Sequence, residues 1–223
     1  MTLSRRTIVF DLDGTLVDTA PDLCSALNWV LERIDRPQVA LDDVRNMVGE
    51  GARKLIERAL AASGPAPSAE EVESHVVHFL DHYQRNMSVQ SVPFPGVEET
   101  LDTLAGLGAQ VAICTNKPEE MAVLLLDDLG LGHRFPVILG GDSLPMKKPD
   151  PGHLIGTVER MGASLDDTVF VGDSHIDVAA ARGAGVPVIA VSFGYSLVDP
   201  AELGADMVIH TFPDLPDALS RLS

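Results

Sequence analysis

Two carboxylates one residue apart, Asp11 and Asp13, close the run Thr-Ile-Val-Phe at 7–10 and are followed by a Gly14-Thr15 turn. A run of β-branched and aromatic residues predicts a buried strand, so the acids emerge at its carboxyl end. In open parallel α/β sheets ligands bind in the crevice beyond the carboxyl ends of the strands, which makes this pair a candidate reaction centre. Taken alone, Asp-x-Asp-Gly is also an ordinary turn. Three clusters downstream weigh against that reading. The apolar stretch 110–114 runs into Thr115-Asn116-Lys117-Pro118, a hydroxyl and free backbone amides at a helix start, suited to a phosphate. Lys147-Lys148-Pro149 follows the next apolar stretch, with the lysine before proline held extended. The stretch 168–171 runs into Gly172-Asp173-Ser174, with Asp177 one turn into the next helix. An acid pair, a hydroxyl, a lysine and a second acid pair thus fall at one edge of one sheet.

The elements that must position them follow from periodicity. After the first strand, Thr19 and Pro21 open a helical pattern carried by Leu23, Leu27, Val30, Leu31 and Ile34. Further helical patterns cover 41–47, 52–62 and 68–87, the last opened by a possible Ser68–Glu71 capping box. No convincing strand is read between 17 and 90, and 91–96, with Pro93 and Pro95, reads as a linker. From 96 onward helices and strands alternate: helix to 107, strand 110–114, helix 118–129, strand 136–139, helix 151–161 and strand 168–171. Helix 176–184, strand 188–191, a short strand 207–210 and a closing helix from 213 complete the chain. This alternation predicts an α/β fold with a doubly wound parallel sheet and right-handed crossovers, interrupted after its first strand by an all-helical insertion.

Composition narrows the partners. At 223 residues and 45% hydrophobic content the chain can bury a sizeable core. Its 33 acidic against 16 basic residues, a formal charge of -17, oppose the attraction that draws proteins to nucleic acid or anionic lipid. A small anionic substrate would need a local cation, from a metal or a lysine. Cys24 and Cys114 sit in apolar segments and read as reduced buried thiols, which fits a cytoplasmic protein. No apolar stretch is long enough for a signal-peptide core or a membrane span.

Here the sequence resembles the haloacid dehalogenase-like superfamily of phosphohydrolases. Its four motifs match Asp11-Leu12-Asp13-Gly14-Thr15, Thr115-Asn116, Lys148-Pro149 and Gly172-Asp173-Ser174 with Asp177, in order and in context. Within the superfamily the helical insertion looks like the small cap of the phosphoglycolate phosphatase group. The resemblance implies a Rossmann-like catalytic core at 1–16 and 92–223 and a cap at 17–91. It also implies a Mg²⁺-dependent phosphomonoesterase acting on 2-phosphoglycolate through an aspartyl-phosphate. In it Asp11 is the nucleophile. Asp13 is the proton donor and acceptor, and Thr115, Asn116 and Lys148 hold the phosphoryl oxygens. Mg²⁺ is bound by the Asp11 carboxylate, the Asp13 main-chain carbonyl and Asp173. Asp177 orients metal-bound water or Lys148. The second acid, Asp13, favours a phosphatase over a dehalogenase, which expels a halide without a proton, and over a phosphonatase, which places a small residue there.

Other readings remain open at this point. The same pattern accommodates a sugar-phosphate phosphatase, a phosphosugar mutase or a pyrophosphatase, all acting on small phosphorylated metabolites. A signalling receiver domain uses similar residues, but carries its acceptor on the third strand. An interaction protein on an inactive scaffold is disfavoured because every reactive side chain is present. The loop 48–54 is expected to let Arg53 or Lys54 meet a substrate carboxylate, although a glycine turn with solvated basic residues explains the same sequence. His75, His78 and His82 share a helical face without a carboxylate or cysteine ligand and are expected to face solvent. Val123 to Leu126 is expected to be a buried helix face. The oligomeric state, monomer or homodimer, is not readable.

Overall fold

A computed structural model describes residues 3, 5–196 and 198–222. The chain begins with β1 (Thr7–Phe10), β2 (Val17–Asp18) and four helices: α1 (Ala20–Arg33), α2 (Leu41–Arg45), α3 (Ala52–Ser63) and α4 (Ala69–Gln84). It continues through β3 (Val92–Pro93), α5 (Val97–Gly106), β4 (Gln110–Cys114), α6 (Glu119–Asp128) and β5 (Val137–Leu139). The remainder is α7 (Pro151–Arg160), β6 (Thr168–Gly172), α8 (His175–Ala184), β7 (Val188–Val191), β8 (Met207–Ile209) and α9 (Leu215–Arg221).

The main sheet has six parallel strands in the order β5-β4-β1-β6-β7-β8. Strand alternation splits its core in two, because successive side chains point to opposite faces. Ile8 and Phe10 join Leu101, Leu104, Leu125 and Leu219 on one face, whereas Val9 joins Leu154, Val158 and Ala181 on the other. Both faces are therefore covered by helices, and the doubly wound α/β expectation holds. Phe10 stacks on Phe212, with ring centroids 6.0 Å apart, and meets Phe135 edge-on. Truncating such a buried ring costs about 3–5 kcal/mol, which makes Phe10 an anchor for the strand end from which Asp11 emerges.

The order of strands sets up the site. β1 lies between β4 and β6, so Asp11, Thr115 and Asp173, each just past or at a strand end, are carried by three adjacent strands. Thr115 N continues the ladder to Leu139 O at 3.0 Å, and Asp11 N does so to Val171 O at 2.9 Å.

The four helices α1 to α4 stand between β2 and β3, which pair antiparallel in a two-residue ribbon. The sequence reading finds no strand in this region and takes 91–96 as a linker; two residues are too few to show an alternation. The ribbon is fastened by side chains: buried Asp22 accepts from Gln90 N at 2.9 Å and Ser91 N at 2.8 Å, and Tyr195 Oη donates to Asp18 at 2.6 Å. Ser68 caps α4 by accepting from Glu71 N, but the Glu71 carboxylate pairs with Arg36 instead of closing the box. His78 is exposed, while His75 and His82 are half-buried, His82 with its ring stacked on Trp29 at 4.2 Å. In 123–126, Leu125 and Leu126 are buried and Leu124 is exposed. Both cysteines are free, Cys114 fully buried. Among the described residues no helix is long and apolar enough to cross a membrane.

Candidate active site

The site begins at the end of β1, where the Asp11 carboxylate is 6% exposed. Its Oδ1 accepts from Leu12 N at 2.7 Å and lies 2.9 Å from Lys148 Nζ. Lys148, brought in by the loop after β5, is fully enclosed and also reaches Asp177 Oδ1 at 2.7 Å. Asp177 Oδ2 accepts from the Ser174 hydroxyl at 2.6 Å and from Ser174 N at 3.0 Å, which fixes the start of α8 and with it the lysine tether. The expected link between Asp177 and Lys148 is present in the geometry.

Asp173 follows the end of β6 and accepts from Tyr195 N at 2.6 Å and, more weakly, from Thr15 Oγ1 at 3.4 Å. Gly14 sits against it at φ +79, and a Cβ there would run into the Asp173 carboxylate, so both conformation and space demand glycine. Asp11, Asp173 and Asp177 are all buried, with ligand oxygens within 4.8 Å of one another. Three carboxylates around one ammonium leave the cluster negative, and its protonation behaviour shows the strain. Burial, with Asp177 and Asp13 repelling, pushes the Asp11 carboxyl up to about 6 against the pull of Lys148. Burial and the charges of Asp177 and Asp11 raise Asp173 well above the usual carboxylate range. Burial works against the charge on Lys148, but Asp11 and Asp177 outweigh it and hold the ammonium charged. An all-oxygen, over-negative, buried donor set fits a hard divalent cation such as Mg²⁺.

Thr115 lies at the end of β4, buried, and its Oγ1 accepts from Lys117 N at 3.3 Å. Asn116 Nδ2 donates both to Lys148 O and to Gly49 O, at 2.9 Å each, while its buried Oδ1 has no partner. The amide therefore joins the loop before α3 to the sheet edge. Lys147 Nζ adds a second bridge to Glu50 O at 2.9 Å.

Asp13 is not one of the three clustered acids, though it lines the same cleft as Asp11. Its carboxylate meets Lys117 Nζ at 2.9 Å, and the same ammonium reaches Tyr83 Oη of α4 at 2.8 Å. Lys117 is 5% exposed. Burial disfavours its charge, but Asp13 and Tyr83 outweigh burial and hold it protonated. Sequence reasoning assigned Lys117 no role. Its position in Thr115-Asn116-Lys117-Pro118 was visible, but its burial depends on Tyr83, 34 residues earlier.

Arg53 is not brought to the site. Its guanidinium is half exposed and pairs with Glu73 and with Glu57, and Lys54 pairs with Glu57 at 2.9 Å. The first turn of α3 points these cations along the outer surface, where carboxylates of α3 and α4 take them up. The cleft beside Asp11 is lined instead by Leu23, Leu55, Phe79 and Met121 together with Asp13, Thr115 and Lys117.

Comparison with known proteins agrees with this geometry. A family model described as haloacid dehalogenase-like hydrolase matches residues 8–191. The chain is 46% identical to the phosphoglycolate phosphatase of Caulobacter vibrioides over 99% of this chain and 93% of that protein. It is 44% identical to the phosphoglycolate phosphatase of Agrobacterium fabrum over 95% and 91% of the two chains. A crystal structure from Haemophilus somnus, described as a predicted phosphoglycolate phosphatase, superposes with a TM-score of 0.88 at 31% identity, covering 96% of this chain and 97% of that one.

Proposed function

The chain belongs to the haloacid dehalogenase-like hydrolases, and on that premise we propose that it is a cytoplasmic Mg²⁺-dependent phosphomonoesterase that hydrolyses 2-phosphoglycolate to glycolate and phosphate. The observation that carries this reading is the convergence of Asp11, Thr115, Lys148 and Asp173 at the carboxyl ends of neighbouring strands, with Asp13 one residue from the nucleophile. The names of the relatives support the substrate.

In this mechanism Asp11 attacks phosphorus in line with the ester oxygen. The bond from its carboxylate oxygen to phosphorus forms as the bond to the alkoxide breaks, giving an aspartyl-phosphate. Asp13 delivers its proton to the departing oxygen and then takes one from the water that attacks the aspartyl-phosphate, releasing phosphate and regenerating Asp11. Lys148, held by Asp177, and the Thr115 hydroxyl with the Asn116 backbone amide orient and neutralise the phosphoryl oxygens. The Asp11 and Asp173 carboxylates and the Asp13 main-chain carbonyl would hold Mg²⁺, which would supply the charge that offsets repulsion between an anionic nucleophile and an anionic ester. Residues 17–91 serve as the cap and residues 1–16 and 92–223 as the catalytic core. The bridges from Asn116 and Lys147 to Gly49 and Glu50 join the two.

A phosphate-release assay over a panel of small esters, with and without Mg²⁺, tests this reading. The expected result is Mg²⁺-dependent release that is fastest on 2-phosphoglycolate and absent in Asp11→Asn with an unchanged circular dichroism spectrum. Equal or higher kcat/KM on sugar phosphates or pyrophosphate rejects the substrate. Full release by Asp11→Asn rejects the nucleophile.

A further inference from the structure

We infer that Lys117 of the core and Tyr83 of the cap together bind the carboxylate of the substrate and are the residues that make the enzyme select a carboxylated phosphate ester. The inference rests on the phosphatase reading above and assigns to Lys117 the role that the sequence suggested for Arg53.

The first support is charge. The cleft beside Asp11, about 40 Å³, is walled largely by apolar side chains, and Lys117 is the one cationic residue among the described residues that line it. An anionic group entering such a cleft loses its hydration and needs a paired charge. Arg53 and Lys54 are committed elsewhere on the surface, and Lys148 lies between Asp11 and Asp177.

The second support is position. Lys117 Nζ lies 2.9 Å from the Asp13 carboxylate, the group that hands a proton to the leaving oxygen. In 2-phosphoglycolate the carboxylate carbon is two bonds from that oxygen. A cation touching the proton donor is therefore within reach of the carboxylate and of no more distant part of a larger ester.

The third support is the state of the two donors. Tyr83 Oη accepts from Lys117 at 2.8 Å, so its own proton is free to donate, and the ring is fixed by stacking on Phe79 at 5.7 Å with 2% exposure. The ammonium gives one bond to Tyr83 at 2.8 Å and two to the Asp13 carboxylate, at 2.9 and 3.3 Å. A substrate carboxylate takes the proton of the longer Asp13 contact on one oxygen and the phenol proton on the other. Phe79 and Leu55 close the cleft around a fragment of this length.

The test compares esters that differ only in the charged group. kcat/KM is measured with Mg²⁺ on 2-phosphoglycolate and on ethyl phosphate, for the wild type, Lys117→Met and Tyr83→Phe. Calorimetry on the Mg²⁺-loaded proteins compares 3-phosphonopropionate with propylphosphonate, a non-hydrolysable pair. Lys117→Met is expected to reduce the preference for the carboxylated member by about 30-fold or more in both measurements. Tyr83→Phe, which removes one atom and keeps the test in force if the lysine variant does not fold, is expected to reduce it by about 5-fold. A wild-type preference that survives in both variants overturns this inference alone, even if both esters slow equally, because Lys117 then acts only through Asp13. A wild type with no preference overturns this inference and the substrate assignment together.

Discussion

Replacing Asp11 by asparagine separates what the site does for catalysis from what it does to stability. Three effects compete at this carboxyl: burial and the neighbouring acids Asp177 and Asp13 disfavour its charge, and Lys148 favours it. The first two win, since the group is pushed from its ordinary 3.8 up to about 6. A carboxyl raised in the folded state contributes stability that is fully present below about pH 3.8 and is lost as pH rises through about 6. The difference of about 2 pH units, at 1.36 kcal/mol per unit, means that ionised Asp11 costs the metal-free fold about 3 kcal/mol at pH 8. Asparagine keeps the shape and drops the charge. In EDTA at pH 8, Asp11→Asn should therefore melt above the wild type, by up to roughly 6–12 °C given about 2–4 °C per kcal/mol in a chain of this size. At pH 4 the gain should have largely gone, because the wild-type carboxyl is then close to protonated. Saturating Mg²⁺ should reverse the order at pH 8, since a cation that binds only the folded state stabilises the wild type and the variant has lost a ligand. Thermal melts followed by circular dichroism at pH 8, 6 and 4, with EDTA or Mg²⁺, measure all of this. A variant that melts below the wild type at pH 8 in EDTA would mean that the Lys148 pairing dominates, and the reasoning fails.

Asp13→Asn should lower kcat by roughly 10²–10⁴-fold, the usual range for a positioned proton donor, and a steady-state loss under 10-fold would remove Asp13 from proton transfer. Gly140→Ala should lower both stability and activity: a Cβ there would meet the backbone of Glu119 and Lys117, and moving that backbone costs about 1–3 kcal/mol and shifts the loop that carries Thr115. Arg53→Ala should leave kcat/KM on 2-phosphoglycolate within about 2-fold, because its guanidinium pairs with Glu57 and Glu73 on the surface; a tenfold fall would put it in the site. The buried His153 donates from Nε2 to Gly140 O at 2.9 Å, its Nδ1 has no partner, and burial with Lys148 nearby lowers its pKa from 6.5 to about 4. Such a group contributes stability above pH 6.5 that is lost as pH falls toward 4, so the curve of Tm against pH should be flatter over that window in His153→Gln than in the wild type.

The parallel sheet was legible because strands covered on both faces must be apolar throughout, and 7–10, 168–171 and 188–191 are apolar runs with abrupt polar ends. The same rule located Asp11, Thr115 and Asp173, since a functional side chain at a strand terminus interrupts an apolar run at a fixed place. The ribbon of β2 and β3 was not legible: two residues carry no period, and what holds it, Asp22 with Ser91 and Tyr195 with Asp18, is set by tertiary contact. Arg53 shows the limit from the other side. Its type suited a substrate carboxylate, but Glu57, four residues on and within 3.8 Å, already offered it a partner on the same helix face. Lys117 shows the converse. Nothing local distinguishes it from the solvated lysine that follows many strands, and only the packing of α4 over the sheet edge makes it buried.

The two buried lysines differ in which elements hold them. A buried ammonium deprived of its counter-ion is destabilising by about 3–5 kcal/mol, so in the free protein each is paired with an acid. Lys148 draws both of its acids, Asp11 and Asp177, from the sheet and from α8, and among the described residues no side chain of α1 to α4 pairs with it. Lys117 draws its charge partner, Asp13, from the core but its hydroxyl partner, Tyr83, from the cap. The Lys148 pairs are therefore made without α1 to α4, whereas the contacts of Lys117 are complete only with α4 in place. Substitutions on the cap face of the cleft, Phe79 or Leu55 among them, should then alter which ester is chosen while inorganic phosphate binds the Mg²⁺-loaded protein with nearly unchanged affinity. Weakened phosphate binding in such variants would show instead that the cap helps to build the phosphoryl site.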